Sequence, residues 1–341
     1  MSAQTPDIAL RRRCYTGESV QQARQATNSL PRGTSPIPAA AELAQQILEA
    51  RVLLGLLECR NVYTRYPLGI LSVHPYSDGS ALRVESVERA AEILFNLLPT
   101  YVSEHEVHGV PGLRVTRRDR TAIELSVLGK PARVRLTGLP ARLWREAITL
   151  MLDEWTDPND TLLRWRSSPK AWTDEERRHQ ARWEDPTDSF VQAQRQGAWL
   201  GSGLLRRAAL LHTVSNTFFV DGYSGATSGK TRLVLRSSHV REQGPGPHHI
   251  VAALTDPIFG LPMHLTRFRG DTDERYGRDQ QFVLKDSGNS ALLDLRATAE
   301  PPLSGLGPDV WQSILRRLPT SGFTANLSPS LLAGLSSLGA A

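Results

Sequence analysis

Residues 113–136 read LRVTRRDRTAIELSVLGKPARVRL, and this stretch decides the fold class. Leu113-Arg114-Val115-Thr116, Ile123-Glu124-Leu125-Ser126-Val127 and Ala132-Arg133-Val134-Arg135-Leu136 each alternate apolar and polar side chains. A period of two puts every second residue on one face of a pleated strand, so each run reads as half-buried β-structure. Arg118-Asp119-Arg120 supplies a tight turn, and the three runs predict an antiparallel meander.

On either side the period becomes helical. Leu43, Ile47 and Leu54 recur at helical spacing within 39–60, and the almost wholly apolar run Val52 to Leu57 predicts burial on most sides. Val87 to Leu98 is a second amphipathic helix, stopped by Pro99, and Leu68 to Val73 reads as a short strand. Leu139 to Trp155 is helical, with Leu143, Ala147, Leu150 and Met151 on one side. Further along, a helix from Phe190 to His212 precedes short β-like runs at Thr217–Val220, Arg232–Leu235, Ile250–Leu254, His264–Phe268, Phe282–Leu284 and Ala291–Leu295. A helix at Val310–Leu318 and a small, apolar tail follow. Near the start, Ile8–Cys14 and Val20–Leu30 read as short helices joined at Thr16–Ser19, where Thr and Ser can cap free backbone N–H groups. Pro31 to Pro38 reads as a linker.

The expectation is an α+β fold. It has an N-terminal helical arm and linker (1–38), a helix–antiparallel meander–helix domain (39–155) and a charged, Trp-rich connector (156–189). A mainly antiparallel β C-terminal domain with flanking helices (190–325) and an apolar tail (326–341) complete it. No internal repeat is visible in the sequence.

The chain has 341 residues, 40% of them hydrophobic, which excludes a disordered protein. No run approaches ~18 apolar residues, so no membrane-spanning helix is expected. The N-terminus lacks a signal-peptide core, and Cys14 and Cys59 are the only cysteines; both observations point to a reducing, cytoplasmic setting. With no Cys-x-x-Cys and no Cys/His cluster, a zinc finger is excluded and no metal or cofactor is expected.

Net charge is +5, and 36 of the 40 basic residues are arginine. Codon bias explains such usage, as does a need for bidentate phosphate or carboxylate contacts. Segments 104–150 and 191–250 are net basic and flank an acidic 151–190. Nucleic acid is therefore the preferred ligand, through Arg11, Arg12, Arg13, Arg24, Arg117, Arg118, Arg120, Arg206, Arg207 and Lys230. Trp165, Trp172 and Trp183, interleaved with arginines, suggest a surface for a protein partner or for homo-oligomerisation, with core packing as the plain alternative.

Four motifs bear on enzymatic alternatives. Ser224-Gly225-Ala226-Thr227-Ser228-Gly229-Lys230-Thr231 imitates a phosphate-binding loop, but serine stands where the first glycine belongs and a strand-like run follows it. Val251 to Asp256 loosely imitates a magnesium-binding strand end. Glu104-His105-Glu106-Val107-His108 spaces its histidines three apart rather than four, and reads as a polar helix end more readily than as a metal site. Pro247-His248-His249-Ile250 opens an HNH-like nuclease pattern that the rest of the chain does not complete. A serine-hydrolase elbow and a dinucleotide fingerprint are absent. The leading expectation is a non-enzymatic binding or assembly protein with no catalytic residues. The alternatives are a metal- or histidine-dependent hydrolase using His212, His239, His248, His249 or His264, and a self-assembling subunit.

Overall fold

The computed structural model describes residues 8–31, 33–59, 66–103, 106–155, 164–184, 187–214, 217–225, 230–238, 247–270, 280–288 and 290–300. The helices predicted at Val310–Leu318, the tail beyond it and His239 lie outside these residues.

The architecture is α+β. The arm consists of α1 (Ile8–Thr16) and α2 (Val20–Asn28). Then come α3 (Leu43–Glu58), the hairpin β1 (Ile70–Tyr76) and β2 (Gly79–Val84), and α4 (Val87–Leu97). A small ribbon, β3 (Thr100–Ser103) and β4 (Glu106–His108), leads to the meander β5 (Leu113–Arg118), β6 (Ala122–Val127) and β7 (Arg133–Thr137). Helices α5 (Ala141–Trp155), α6 (Arg164–Ser167), α7 (Asp174–Glu184), α8 (Ser189–Leu205) and α9 (Leu210–Thr213) follow. The second half continues with β8 (Thr217–Gly225), β9 (Lys230–Ser238), α10 (Pro247–Leu254), β10 (Met263–Gly270), β11 (Gln280–Asp286) and β12 (Leu292–Glu300).

The two large sheets share one topology. Their strand orders are β1-β2-β7-β6-β5 and β8-β9-β12-β11-β10. In each, a helix precedes a hairpin, a second helix crosses to the far edge, and a three-stranded meander returns. The last meander strand pairs in parallel with the second hairpin strand: β7 with β2, and β12 with β9. All other pairings within these sheets are antiparallel. The chain therefore contains a repeat of topology without a visible repeat of sequence, because topology needs only the order of apolar periods.

The leading helices of the two units, α3 and α8, pack on one another. They pack tightly at Ala50 and Gly201, where a Cβ on residue 201 would collide with Ala50. α3 also reaches the second sheet, with Leu57 beside Gly222. Being apolar all round is what such a shared helix requires. A single core runs from Tyr15 to Leu295 through both sheets.

Several expectations change. Ile250–Leu254 is helix, not strand: an apolar run of that length has no period to separate the two, and Pro247 suits a first helical turn. The stretch from Glu106 to His108 is a strand rather than a helix end, so its histidine has no helical face to share. The helix predicted to His212 breaks after Leu205 and resumes as α9. Hairpin strand β2, GSALRV, was not expected: six residues with a glycine and a serine in front give too short a run of alternation to read. The arm is capped as expected, with Ser19 and Gln22 forming a reciprocal capping box. It is not detached, however. Tyr15 is fully buried and donates to the Ala253 carbonyl at 3.1 Å, and Gly17 takes φ +70° where the α1–α2 corner touches the Leu71 carbonyl. The segment 33–38 is likewise strapped down, with Ile37 buried and the Pro36 carbonyl accepting from Arg12.

Candidate functional site

Beside the Ala50–Gly201 contact of α3 and α8 lies an open cleft of about 520 Å³. That volume lies within the range of small-molecule sites, roughly 300–1,000 Å³. Its floor is Leu43, Ile47, Leu48 and Leu54 of α3, facing Val191 and Ala198 of α8. The far wall is Val110, Pro111, Val127 and Trp172, and Thr231 at the start of β9 closes one side. Leu43 is 41% exposed and is one of four large apolar side chains so exposed among the described residues. Three cationic side chains, Arg51, Lys130 and Arg195, also line the cleft, and among the described residues no Asp or Glu does. Lys130 and Arg195 are exposed, while the half-buried Arg51 donates to Gln180 Oε1 at 3.3 Å.

The Trp172 wall is built from the sequence upward. Thr173 and Glu176 form a capping box: the Thr173 N–H donates to Glu176 Oε2 at 2.9 Å and the Glu176 N–H to Thr173 Oγ1 at 3.3 Å. This fixes the start of α7. Glu176, fully buried, also accepts from the Gly112 N–H at 2.8 Å and from both Nη atoms of Arg114, at 2.8 and 2.7 Å. Burial alone would raise its carboxyl pKa; the bonds from Arg114, Thr173 and Gly112 outweigh burial and lower it. Arg114 further donates to the Ser168 and Ala171 carbonyls. Trp172 is thereby laid over Gly112, its indole N–H donating to the Leu128 carbonyl at 3.1 Å. Although Asp174-Glu175-Glu176-Arg177-Arg178 is charged at every position, one face of α7 is pinned to the first sheet.

Three arginines named as nucleic-acid contacts are internal. Arg206 is fully buried and grips Glu49 at 2.7 Å through both Nε and Nη2, while donating to the Pro38, Tyr76 and Gly79 carbonyls. Arg207 is buried against the Phe259, Gly260 and Gly203 carbonyls; desolvation lowers its pKa to about 10, so it stays charged. Arg12 is bidentate on Glu18, at 2.6 and 3.0 Å. As placed, none of the three faces a phosphate. Arg11 is half-buried, paired with Asp256 and lying 4.6 Å over the Phe259 ring. The signal was present: Arg206-Arg207 interrupts an apolar helix between Leu204-Leu205 and Ala208-Ala209, and a charge inside an apolar run needs a buried partner. Arg13, Arg24, Arg117, Arg118 and Arg120 are exposed. Lys230 opens β9, with its side chain outside the described set.

Comparison with known protein families, characterised proteins and solved structures found no match.

The tryptophans divide in the same way. Trp165 is buried in the core, because α6 tucks it under the first sheet, so it does not present a partner surface. Trp172 is half-exposed in the cleft wall, and the Trp183 side chain lies outside the described set. Among the described residues the histidines form no group of three or more metal-binding side chains with Cys, Asp or Glu. His212 is buried edge-on to Tyr66. His248 stacks 4.2 Å from His249, and burial with that neighbour lowers its pKa to about 4, so it is neutral at pH 7. His264 is exposed on β10. Of the phosphate-loop-like segment, Gly225 at the end of β8 pairs with Lys230 at the start of β9, and from Lys230 the chain runs on as strand rather than as the helix a phosphate would need. The magnesium-like Asp256 instead accepts the Ile258 and Phe259 N–H groups, both at 2.9 Å.

One cluster escaped sequence reading. Glu18 is buried and accepts from Arg12, from Thr16 Oγ1 at 2.9 Å and from His74 Nδ1. Burial pushes its carboxyl pKa up, but the hydrogen bonds from His74 and Arg12 prevail and hold it at about 2. The cluster ties the α1–α2 corner to β1. Glu18 and His74 are 56 residues apart, and nothing in either local sequence announces their pairing.

Proposed function

We propose that this chain is a non-enzymatic binding protein whose ligand lies in the cleft between α3 and α8. The observation that carries the reading is the cleft itself: a formed apolar concavity at the junction of two structural units, with few polar groups. Small-molecule sites are found preferentially at such junctions. Exposed apolar surface of this kind is otherwise an uncompensated cost in contact with water.

The test uses the neutral fluorophore N-phenyl-1-naphthylamine. It brightens on binding the wild-type protein, and Ala44→Trp, which projects an indole into the cleft from the half-buried Ala44, abolishes the signal at unchanged melting temperature. A dark wild type, or a variant as bright as wild type, overturns the reading.

A second reading keeps nucleic acid as ligand. It is favoured by Arg117, Arg118 and Arg120, exposed together on the β5–β6 hairpin. Their neighbour Asp119 is engaged by Arg135 at 2.6 Å. Phosphate contact through these side chains predicts that binding of a 20-mer duplex weakens steeply with salt. Changing all three to alanine should lower the log–log salt slope by about 0.9 per lost contact. No binding in 20 mM salt ends this reading, and a naphthylamine signal with no duplex binding selects the cleft.

A further inference from the structure

Accepting the cleft as a binding site, we infer that its ligand carries a flat aromatic ring, which lies on the exposed side of Trp172. The seat of that indole decides which of its surfaces is on offer. A Cβ on residue 112 would meet Cζ2 of Trp172 and both ring neighbours of that atom, Cε2 and Cη2, at similar distances. Such a point lies over the ring face and not off its edge, so one face of the indole rests on Gly112. The pyrrole edge is taken too, because Nε1 donates to the Leu128 carbonyl at 3.1 Å. Trp172, half-exposed, therefore turns its opposite face and its benzene edge to the cleft. Among the described residues neither an aromatic ring nor a cation is stacked on it.

An indole fixed before the ligand arrives loses little freedom on binding. Aromatic rings meet one another offset-stacked or edge to face, and such a pair adds to what burial of area gives. The rest of the lining suits a flat body. Helix α8 contributes Gly197, Ala198 and Gly201, with side chains of one carbon or none, which keeps that wall low. Leu43, Ile47 and Leu54 of α3 give aliphatic contact around the ring. A neutral ring suffices for all of these contacts.

Calorimetric titration of the full chain with naphthalene-2-methanol and its saturated counterpart, decahydronaphthalene-2-methanol, tests this. Both are neutral and share one carbon skeleton. The saturated ring has the larger apolar surface, so burial alone would favour it. A stack on Trp172 reverses the order, and the aromatic alcohol is expected to bind about two- to twelvefold more tightly. Its ring protons should also shift upfield on binding, in the ring current of the indole. Trp172→Leu should abolish the preference and the upfield shift while the saturated alcohol still binds, and Trp172→Phe should keep part of both. Binding of the saturated alcohol to wild type as tightly as the aromatic one overturns the ring assignment and leaves the cleft standing. A preference that persists in Trp172→Leu overturns Trp172 as its platform. Should Trp172→Leu bind neither alcohol, Trp172→Phe decides: a preference lost there, with the saturated alcohol still bound, overturns the platform as well. No binding of either alcohol to wild type removes the cleft reading too.

Discussion

Arg206→Met is expected to destabilise the fold by about 3–5 kcal/mol, the cost of leaving a buried charge without its partner. Glu49 is fully buried and, among the described residues, would retain Ser202 Oγ, at 2.5 Å, and Gln45 Nε2, at 2.9 Å. Three carbonyls, of Pro38, Tyr76 and Gly79, would lose their shared donor as well. These carbonyls belong to the segment before α3 and to the β1–β2 hairpin, so one guanidinium from the second unit holds the first unit's entry and turn. Urea unfolding measures the loss. The double variant Glu49→Leu/Arg206→Met should recover part of it by removing the stranded carboxylate, but not all, since the carbonyls still lack the Arg206 donor. A single-variant loss below about 1 kcal/mol would show that the pair contributes no more than a surface ion pair.

Gly112→Ala is the second large effect. Residue 112 has φ +75°, a left-handed conformation costing a non-glycine residue about 1–2 kcal/mol. A Cβ there would also stand inside the Trp172 ring, and overpacking of this kind costs about 1–3 kcal/mol more. The ring has no easy retreat, because its N–H is held by the Leu128 carbonyl and its neighbours by Glu176. The expected sum is about 2–5 kcal/mol, read by urea unfolding. The cleft wall should move with it, seen as a shift in Trp172 emission and weaker naphthylamine binding. Stability within about 0.5 kcal/mol of wild type would mean that Trp172 is not seated on Gly112.

Much of the fold was legible because it is written in local periods. The alternation Ile123-Glu124-Leu125-Ser126-Val127 is itself the strand β6, and the apolar belt of 43–57 is itself the shared helix α3. Reading failed where the period was absent or the partner distant. Ile250–Leu254 is apolar at every position, so strand and helix bury it equally well by sequence, and only its place beside α9 and Tyr15 decides for helix. The cleft was illegible for another reason. Its lining is gathered from Leu43 to Thr231, and an empty space has no residue to mark it.

The arginines show the division most sharply. Sequence alone determined that they are abundant, always charged and clustered in blocks. It also determined the α+β class, through periods that each segment carries in itself. Tertiary structure alone decided which arginines face inward, because that depends on where Glu18, Glu49 and Glu176 arrive in space. A buried cation is tolerable only against a buried anion or a cradle of carbonyls such as holds Arg207, and chain folding, not proximity in sequence, brings Glu49 to Arg206 across 157 residues. The repeat of topology was decided at the same level, since hydrogen bonding between strands fixes their order while leaving the side chains of the two units free to differ.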